Sequence, residues 1–282
     1  LYRHITQNRT LDISTVIGIS LVHLLALGAF FNFTWEGFGL FVLLSFVTGC
    51  CGITFGFHRL LSHQSFQVPL LVKYMTAVIG CLTLQGGPIR WVATHRLHHK
   101  NADTPNDPHS SEEGFLWSHL LWNFYKQPEL DSFDVYKRLA PDLASDKVFR
   151  FLDEHFFMVY MLFNVLIFAT GWLIRDLDLA WSLFFWGGLL RVVYVWHITW
   201  LVNSATHYWG YKSFESTDQS RNNWWVALLT FGEGWHNNHH VYPRSAKMGF
   251  TPFEFDLTYG LIQLMHRLGL ASHIIDKKTV IQ

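Results

Sequence analysis

The sequence predicts an all-α integral membrane protein: four transmembrane helices forming two hairpins, with a cytosolic helical cap that holds a histidine-ligated dimetal site. Three observations predict it. Long apolar runs occur four times, Lys and Arg avoid the short links between paired runs, and many of the 17 histidines gather into boxes.

Composition sets the frame. Of 282 residues, 50% are hydrophobic and 17% aromatic, while only 15% are charged; about a quarter is usual for a soluble protein. The formal net charge is +0, so no basic surface points to nucleic acid. The first apolar run opens near Asp12, is long and is soon followed by a second, so no cleavable signal peptide is expected. Cys50, Cys51 and Cys81 form no CxxC pair and sit in apolar runs, where cysteine packs as a small hydrophobe.

A bilayer crossing takes about 20 apolar residues. Runs of that length lie at 12–33, 37–57, 155–174 and 179–202. A fifth stretch, 68–86, is apolar but short, opens with Pro69 and carries Lys73. The link Asn32–Glu36 has no Lys or Arg, and Arg175–Asp178 has a single Arg. The positive-inside rule therefore puts both links outside, and the N-terminal, central and C-terminal regions in the cytoplasm. The chain reads as one domain, 1–282, with 87–154 and 203–282 as the cap and both termini cytoplasmic. Arg191 falls within the fourth span, where a charge should face protein or water. With His197 six residues on, it is read as an anchor for the cap.

The histidines carry the chemistry. The first box is His58-Arg-Leu-Leu-Ser-His63, the second His95-Arg-Leu-His98-His99, and the third His236-Asn-Asn-His239-His240. Residues on a helix turn by about 100° each, so an HxxHH triplet presents three imidazoles to one place. The pair His58 and His63 would diverge by about 140° on a regular helix, which calls for a break or for metals on both sides of the helix end. A fourth element is Asn203-Ser-Ala-Thr-His207, with an i,i+4 spacing at the end of the fourth span. Nine imidazoles are too many for one ion and suit two. A tetrahedral structural zinc takes four ligands, usually with cysteine, and fits poorly. His4, His23, His109, His119, His155, His197, His266 and His273 stand outside the boxes and read as ordinary polar groups. A shared centre also requires 68–86 to stay on one side of the membrane; if it crossed, the first two boxes would face opposite sides.

These residues resemble the membrane acyl desaturase family over about residues 10–270. The resemblance is carried by Gly56-Phe57-His58-Arg59, Gln85-Gly-Gly-Pro-Ile-Arg-Trp91, Trp200-Leu-Val-Asn-Ser-Ala-Thr-His207 and Phe231-Gly-Glu-Gly-Trp-His-Asn-Asn-His-His240. The branch it is most similar to is the delta-9, stearoyl type that places the first double bond in a saturated chain, in its bacterial-like form. The resemblance implies two non-haem irons bound by His58, His63, His95, His98, His99, His207, His236, His239 and His240, with Asn203 holding a metal-bound water. It further implies dioxygen as co-substrate, an acyl substrate on CoA, carrier protein or membrane lipid, and an external electron donor such as ferredoxin or cytochrome b5. The sequence shows no His-Pro-Gly-Gly pattern of a fused cytochrome b5, no Gly-rich dinucleotide fingerprint and no cysteine cluster for an iron–sulfur centre. The alternatives are a hydroxylase or a desaturase of other regiospecificity built on the same centre, and more remotely a histidine-rich metal transporter or a bis-histidine haem carrier. A transporter would want its ligands within the spans, and these lie at span ends. Regiochemistry requires an apolar tunnel, for which Trp117, Trp122, Trp196 and Trp200 are lining candidates.

Overall fold

A computed structural model describes residues 9–127, 130 and 132–276. The termini assigned to the cytoplasm, the cap's end at 277–282 and His4 lie outside the described residues. The regular structure is helical. The first span is α1 (Ile13–Ala26), started by Asp12, whose Oδ1 accepts from the Thr15 N–H, and extended by a 3₁₀ turn, Leu27–Phe31. The second starts at Thr34, whose hydroxyl caps α2 (Trp35–Phe46), and runs on as a π-type helix, Val47–Ser62. Next come α3 (Leu70–Cys81) and α4 (Pro88–Asn101), the latter with proline at its first position, where the missing N–H costs nothing. Three short helices follow: α5 (Phe115–His119), α6 (Phe133–Leu139) and α7 (Pro141–Ala144). The third span is α8 (Lys147–Ile174), capped by Asp146. The fourth combines α9 (Leu177–Leu183), a π-type segment Phe184–Leu190, α10 (Arg191–Asn203) and α11 (Ala205–Tyr208). The chain then forms α12 (Trp224–Leu229), α13 (His236–Val241) and α14 (Leu257–Arg267).

Four helices are long and apolar enough to cross a membrane: Ile13–Phe31, Trp35–Ser62, Lys147–Ile174 and Leu177–Tyr208. Their positions agree with the apolar runs, but three are longer. The second continues five residues past the expected end at 57, and the third begins eight before the expected 155. Hydropathy marks only what lies in hydrocarbon, whereas helical hydrogen bonding carries on beyond it. The 28 residues of the second span reach about 42 Å against a hydrocarbon core of about 30 Å. The first histidine box therefore sits on a rigid extension of a membrane helix. α3, at 12 residues, reaches about 18 Å and cannot cross.

Close backbone approach docks α3 on the π-type segment. A Cβ on Gly52 would lie 2.9 Å from the Gly80 nitrogen, and one on Gly80 would lie 2.5 Å from the Phe57 ring. The far end of α3 is held from the fourth span. Arg191, fully buried, donates through Nη1 to the Leu82 carbonyl at 2.5 Å, and Trp196 Nε1 donates to the Thr83 carbonyl at 2.7 Å. Arg191 thus ties down α3, where an anchor for the cap was expected. A helix C-terminus is the place where unpaired carbonyls and the dipole favour a cation. His197 meets His119 of α5, in the segment expected to form the cap.

Replacing Gly80 by Leu is predicted to cost about 2 kcal/mol through overpacking, read as a lower unfolding temperature in detergent. Gly18→Leu, where a new Cβ meets nothing within 4 Å, should leave that temperature unchanged.

Candidate metal centre

The three boxes and His207 converge. His58 and His63 lie one wide turn apart, joined by an i→i+5 bond from the His63 N–H to the His58 carbonyl at 3.1 Å. This wider π-type turn, neither a break nor metals on two sides, brings their rings to 4.8 Å. The HxxHH triplets do not each point to one place. On a helix the i+3 and i+4 side chains diverge by about 100°, and here they part. His95 and His99 of α4 join His58, His63 and His239, while His98 joins His207, His236 and His240. Each set brings its ligand atoms within 4.8 Å of one another. In the five-histidine set the Nε2 atoms of His63 and His95 are 2.7 Å apart, and those of His239 and His99 2.9 Å. In the four-histidine set His207 and His236 approach to 3.1 Å, and His98 and His240 to 3.3 Å. Asn203 ends α10 one turn before His207 and borders both cavities described below.

Behind the imidazoles stands a ring of carboxylates. His98 Nδ1 is 2.9 Å from both Asp107 oxygens, His207 Nδ1 is 2.9 Å from Asp103, and His240 Nδ1 is 2.7 Å from Asp218. Glu233 Oε2 lies 2.5 Å from His58 Nδ1. The other Glu233 oxygen accepts from Arg59 Nε and Nη2 at 3.0 and 2.8 Å, and Arg59 Nη1 donates to Asp256 at 2.9 Å. Asp103 and Asp107 read equally well as solvated loop or cap in the sequence; the fold turns both inward. Asp218 and Glu233 were not anticipated. Glu233 lies three residues before His236 in the third box segment, a signal that was available; Asp218, 22 residues from its histidine, has none.

The sequence matches the fatty acid desaturase family over residues 13–248. The chain belongs to that family. It is 47% identical to an sn-2 palmitoyl-lipid 9-desaturase of Nostoc sp. (strain 36), over 93% of this chain and 89% of that one. It is 46% identical to an sn-1 stearoyl-lipid 9-desaturase of Anabaena variabilis, over 91% and 92%. An acyl-CoA 5-desaturase of Anemone leveillei is 40% identical over 93% of this chain and 79% of its own. The protein is accordingly an oxidoreductase that desaturates fatty acyl chains.

Does the donor set of this desaturase suit metal? His98 and His240 decide. Both commit the Nδ1 proton to a carboxylate, so two Nε2 lone pairs face each other at 3.3 Å. That contact repels unless a positive charge sits there, supplied by a second proton or by a metal ion. Asp107 does raise His98 above its ordinary value, although burial opposes it. Six of the nine resist protonation. Burial first, then neighbouring imidazoles, push His63, His95, His99, His236 and His239 well below 6.5. Burial pulls His240 down to about 4. Burial would raise Asp103, Asp107 and Asp218, but their histidine partners outweigh it and hold all three below the carboxylate range. Unprotonated imidazoles, with carboxylates behind four of the nine, are the form that binds a cation.

Two cavities reach the centre. One of about 50 Å³ lies between the sets, touching His58 and His95 of one and His98 and His236 of the other. The second, about 600 Å³, runs from Asp12 and Lys126 at its rim to His95 and Asn203. Of the four candidates, Trp122, Trp196 and Trp200 line it. Trp117 does not; it packs 3% exposed under the Arg9 guanidinium, 4.2 Å from its ring centre.

Asp218→Asn should lower metal affinity about 10–100-fold, measured by metal content after graded chelation. The metal-free protein should lose stability on acidification. Below about pH 6.5 the unfolded chain takes up protons that the folded histidines refuse, down to His240 at about 4. Its unfolding temperature should therefore fall steadily between pH 7 and pH 5.

Proposed function

We propose that this desaturase introduces the first double bond at the delta-9 position of a saturated acyl chain carried on a membrane glycerolipid. The observation that carries the reading is two facing sets of imidazoles, nine in all, with a cavity of about 600 Å³, lined by polar and apolar side chains alike, that reaches them at His95 and Asn203 and is within the size range of small-molecule sites. The two relatives named above as lipid 9-desaturases support the position and the carrier over the acyl-CoA and carrier-protein alternatives.

His58, His63, His95, His99 and His239 would hold one iron; His98, His207, His236 and His240, with Asn203 through a water, would hold the other. When bound, the irons supply the oxidant that removes two hydrogens from adjacent methylenes, at the expense of dioxygen and two electrons. Redox-inert zinc could not do this. The chain's own residues do the positioning. Trp91 stacks on His95 at 5.2 Å and donates through Nε1 to Gln85 Oε1, whose amide donates to Thr199 Oγ1 at 3.0 Å. All three residues of this bridge line the cavity beside His95. Indole walls exclude water and hold one register, which matters because consecutive methylenes are chemically alike.

The topology that fits is two hairpins with the centre and both termini on the cytoplasmic side, the cap formed by 87–154 and 203–282 and α3 in the interface. Basic residues concentrated in those regions support it. Electrons come from a separate donor, a ferredoxin or a cytochrome b5, meeting the centre where His63, His99 and His240 are half-buried.

Expression in a host lacking this activity, with a suitable donor and gas chromatography of its fatty acids, tests the reading. Wild type should produce a new delta-9 monoene, and His239→Ala should produce none. An unchanged lipid profile with wild type would overturn the proposal.

A further inference from the structure

Three histidines outside the boxes form a hydrogen-bonded rail. His23 of α1 meets His197 of α10, Nε2 to Nε2, at 3.0 Å. The other nitrogen of His197, Nδ1, meets His119 Nε2 of α5 at 3.0 Å, and His119 Nδ1 meets Ser204 Oγ at 3.0 Å. One end is anchored on backbone, where His23 Nδ1 donates to the Ile19 carbonyl at 2.8 Å; with neutral rings His197 Nε2–H then donates to His23, His119 Nε2–H to His197, and the Ser204 hydroxyl to His119 Nδ1. One line of side chains thus joins the first span, the fourth span and α5.

The rail lies along the cavity wall. Trp196 and Trp200 stack on each other at 5.7 Å and both line the 600 Å³ cavity. The His23 ring lies 5.7 Å from Trp196, and His197 and His119 lie edge-on to Trp200 at 5.2 and 5.9 Å. On α10 His197 and Trp200 share a face by their three-residue spacing, and Ser204, just past the helix end, follows Trp200 by four. Ser204 also forms the break between α10 and α11, with φ −109° and ψ −72°, which separates Asn203 from His207. The same rail therefore fixes both the wall that guides the acyl chain and the turn that carries two candidate metal groups. α1 needs such a tie, since Ala26 is its one buried residue while Ile19 and Thr15 line the cavity.

We propose that His23, His197 and His119 are positioning residues that set which methylene reaches the metal centre, and so fix double-bond position. The inference rests on the acyl-cavity reading above, not on the delta-9 assignment. The test is double-bond position, read by mass spectrometry of dimethyl disulfide adducts from cells expressing His23→Ala, His119→Ala, His197→Ala, His197→Asn and His197→Gln. A tenfold change in ratio corresponds to about 1.4 kcal/mol, so loss of one wall support should raise the share of off-position monoene roughly tenfold. His197→Asn keeps a polar atom facing His119 and His197→Gln one facing His23; both should shift position less than His197→Ala. His23→Ala, on the sparsely buried α1, is the variant least able to disturb folding. Lower yield with an unchanged isomer ratio in every active variant would overturn the proposal. So would loss of all product from every variant while wild type is active. A wild-type bond at a position other than delta-9 would defeat that assignment alone and leave the comparison between variants intact.

Discussion

The structure depends on one unfavourable contact that a bound cation turns favourable. His98 and His240 each give their Nδ1 proton to a carboxylate and then face each other with lone pairs at 3.3 Å. Buried and without a positive charge between them, such groups would push the helices that carry them apart. The carboxylates make the arrangement specific. Each fixes the tautomer and aim of its imidazole, and together they offset the positive charge that metal brings. Arg59 is needed for the same reason. Fully buried, it keeps Glu233 ionised against the burial that would otherwise neutralise it, and it donates to Asp256 as well.

Everything else in the fold delivers those side chains. Membrane helices longer than the bilayer give the first box and His207 rigid supports, better suited to ligand geometry than loops. α3 is short, pinned by Gly52 and Gly80 at one contact and by Arg191 at its end, and so returns the chain to bring His63 and His95 together. The buried arginine in the fourth span is thus explained without an acidic partner: helix-end carbonyls accept from it.

Much of this was legible in the sequence, for identifiable reasons. Apolar runs and boxes are local, periodic signals, and the four spans and the nine histidines follow from them. The five-plus-four division was not legible, because a 100° divergence between i+3 and i+4 matters only once a second centre lies nearby. The π-type turn joining His58 to His63 was not either; the i,i+5 spacing announced a conflict with a regular helix but not its resolution. Asp218 and the rail of His23, His119 and His197 depend on contacts between residues tens to hundreds of positions apart. No local spacing encodes those. His23 looks like an ordinary polar residue in a span until His197 is seen opposite.

The rail also shows what holds a membrane helix when burial cannot. Lipid tails are as apolar as leucine, so the hydrophobic effect gives α1 no reason to stay against the body once it is in the bilayer. What remains is packing and polar contact. α1 buries one side chain, yet it walls the cavity proposed to take the acyl chain. A hydrogen bond between two half-buried histidines, in surroundings where neither finds water easily, is directional and short-ranged, as dispersion alone is not. The protein thus uses imidazole in two ways within one fold. Backed by carboxylates, its rings face each other and need a cation; backed by one another, by a backbone carbonyl and by a serine hydroxyl, they hold a wall in place.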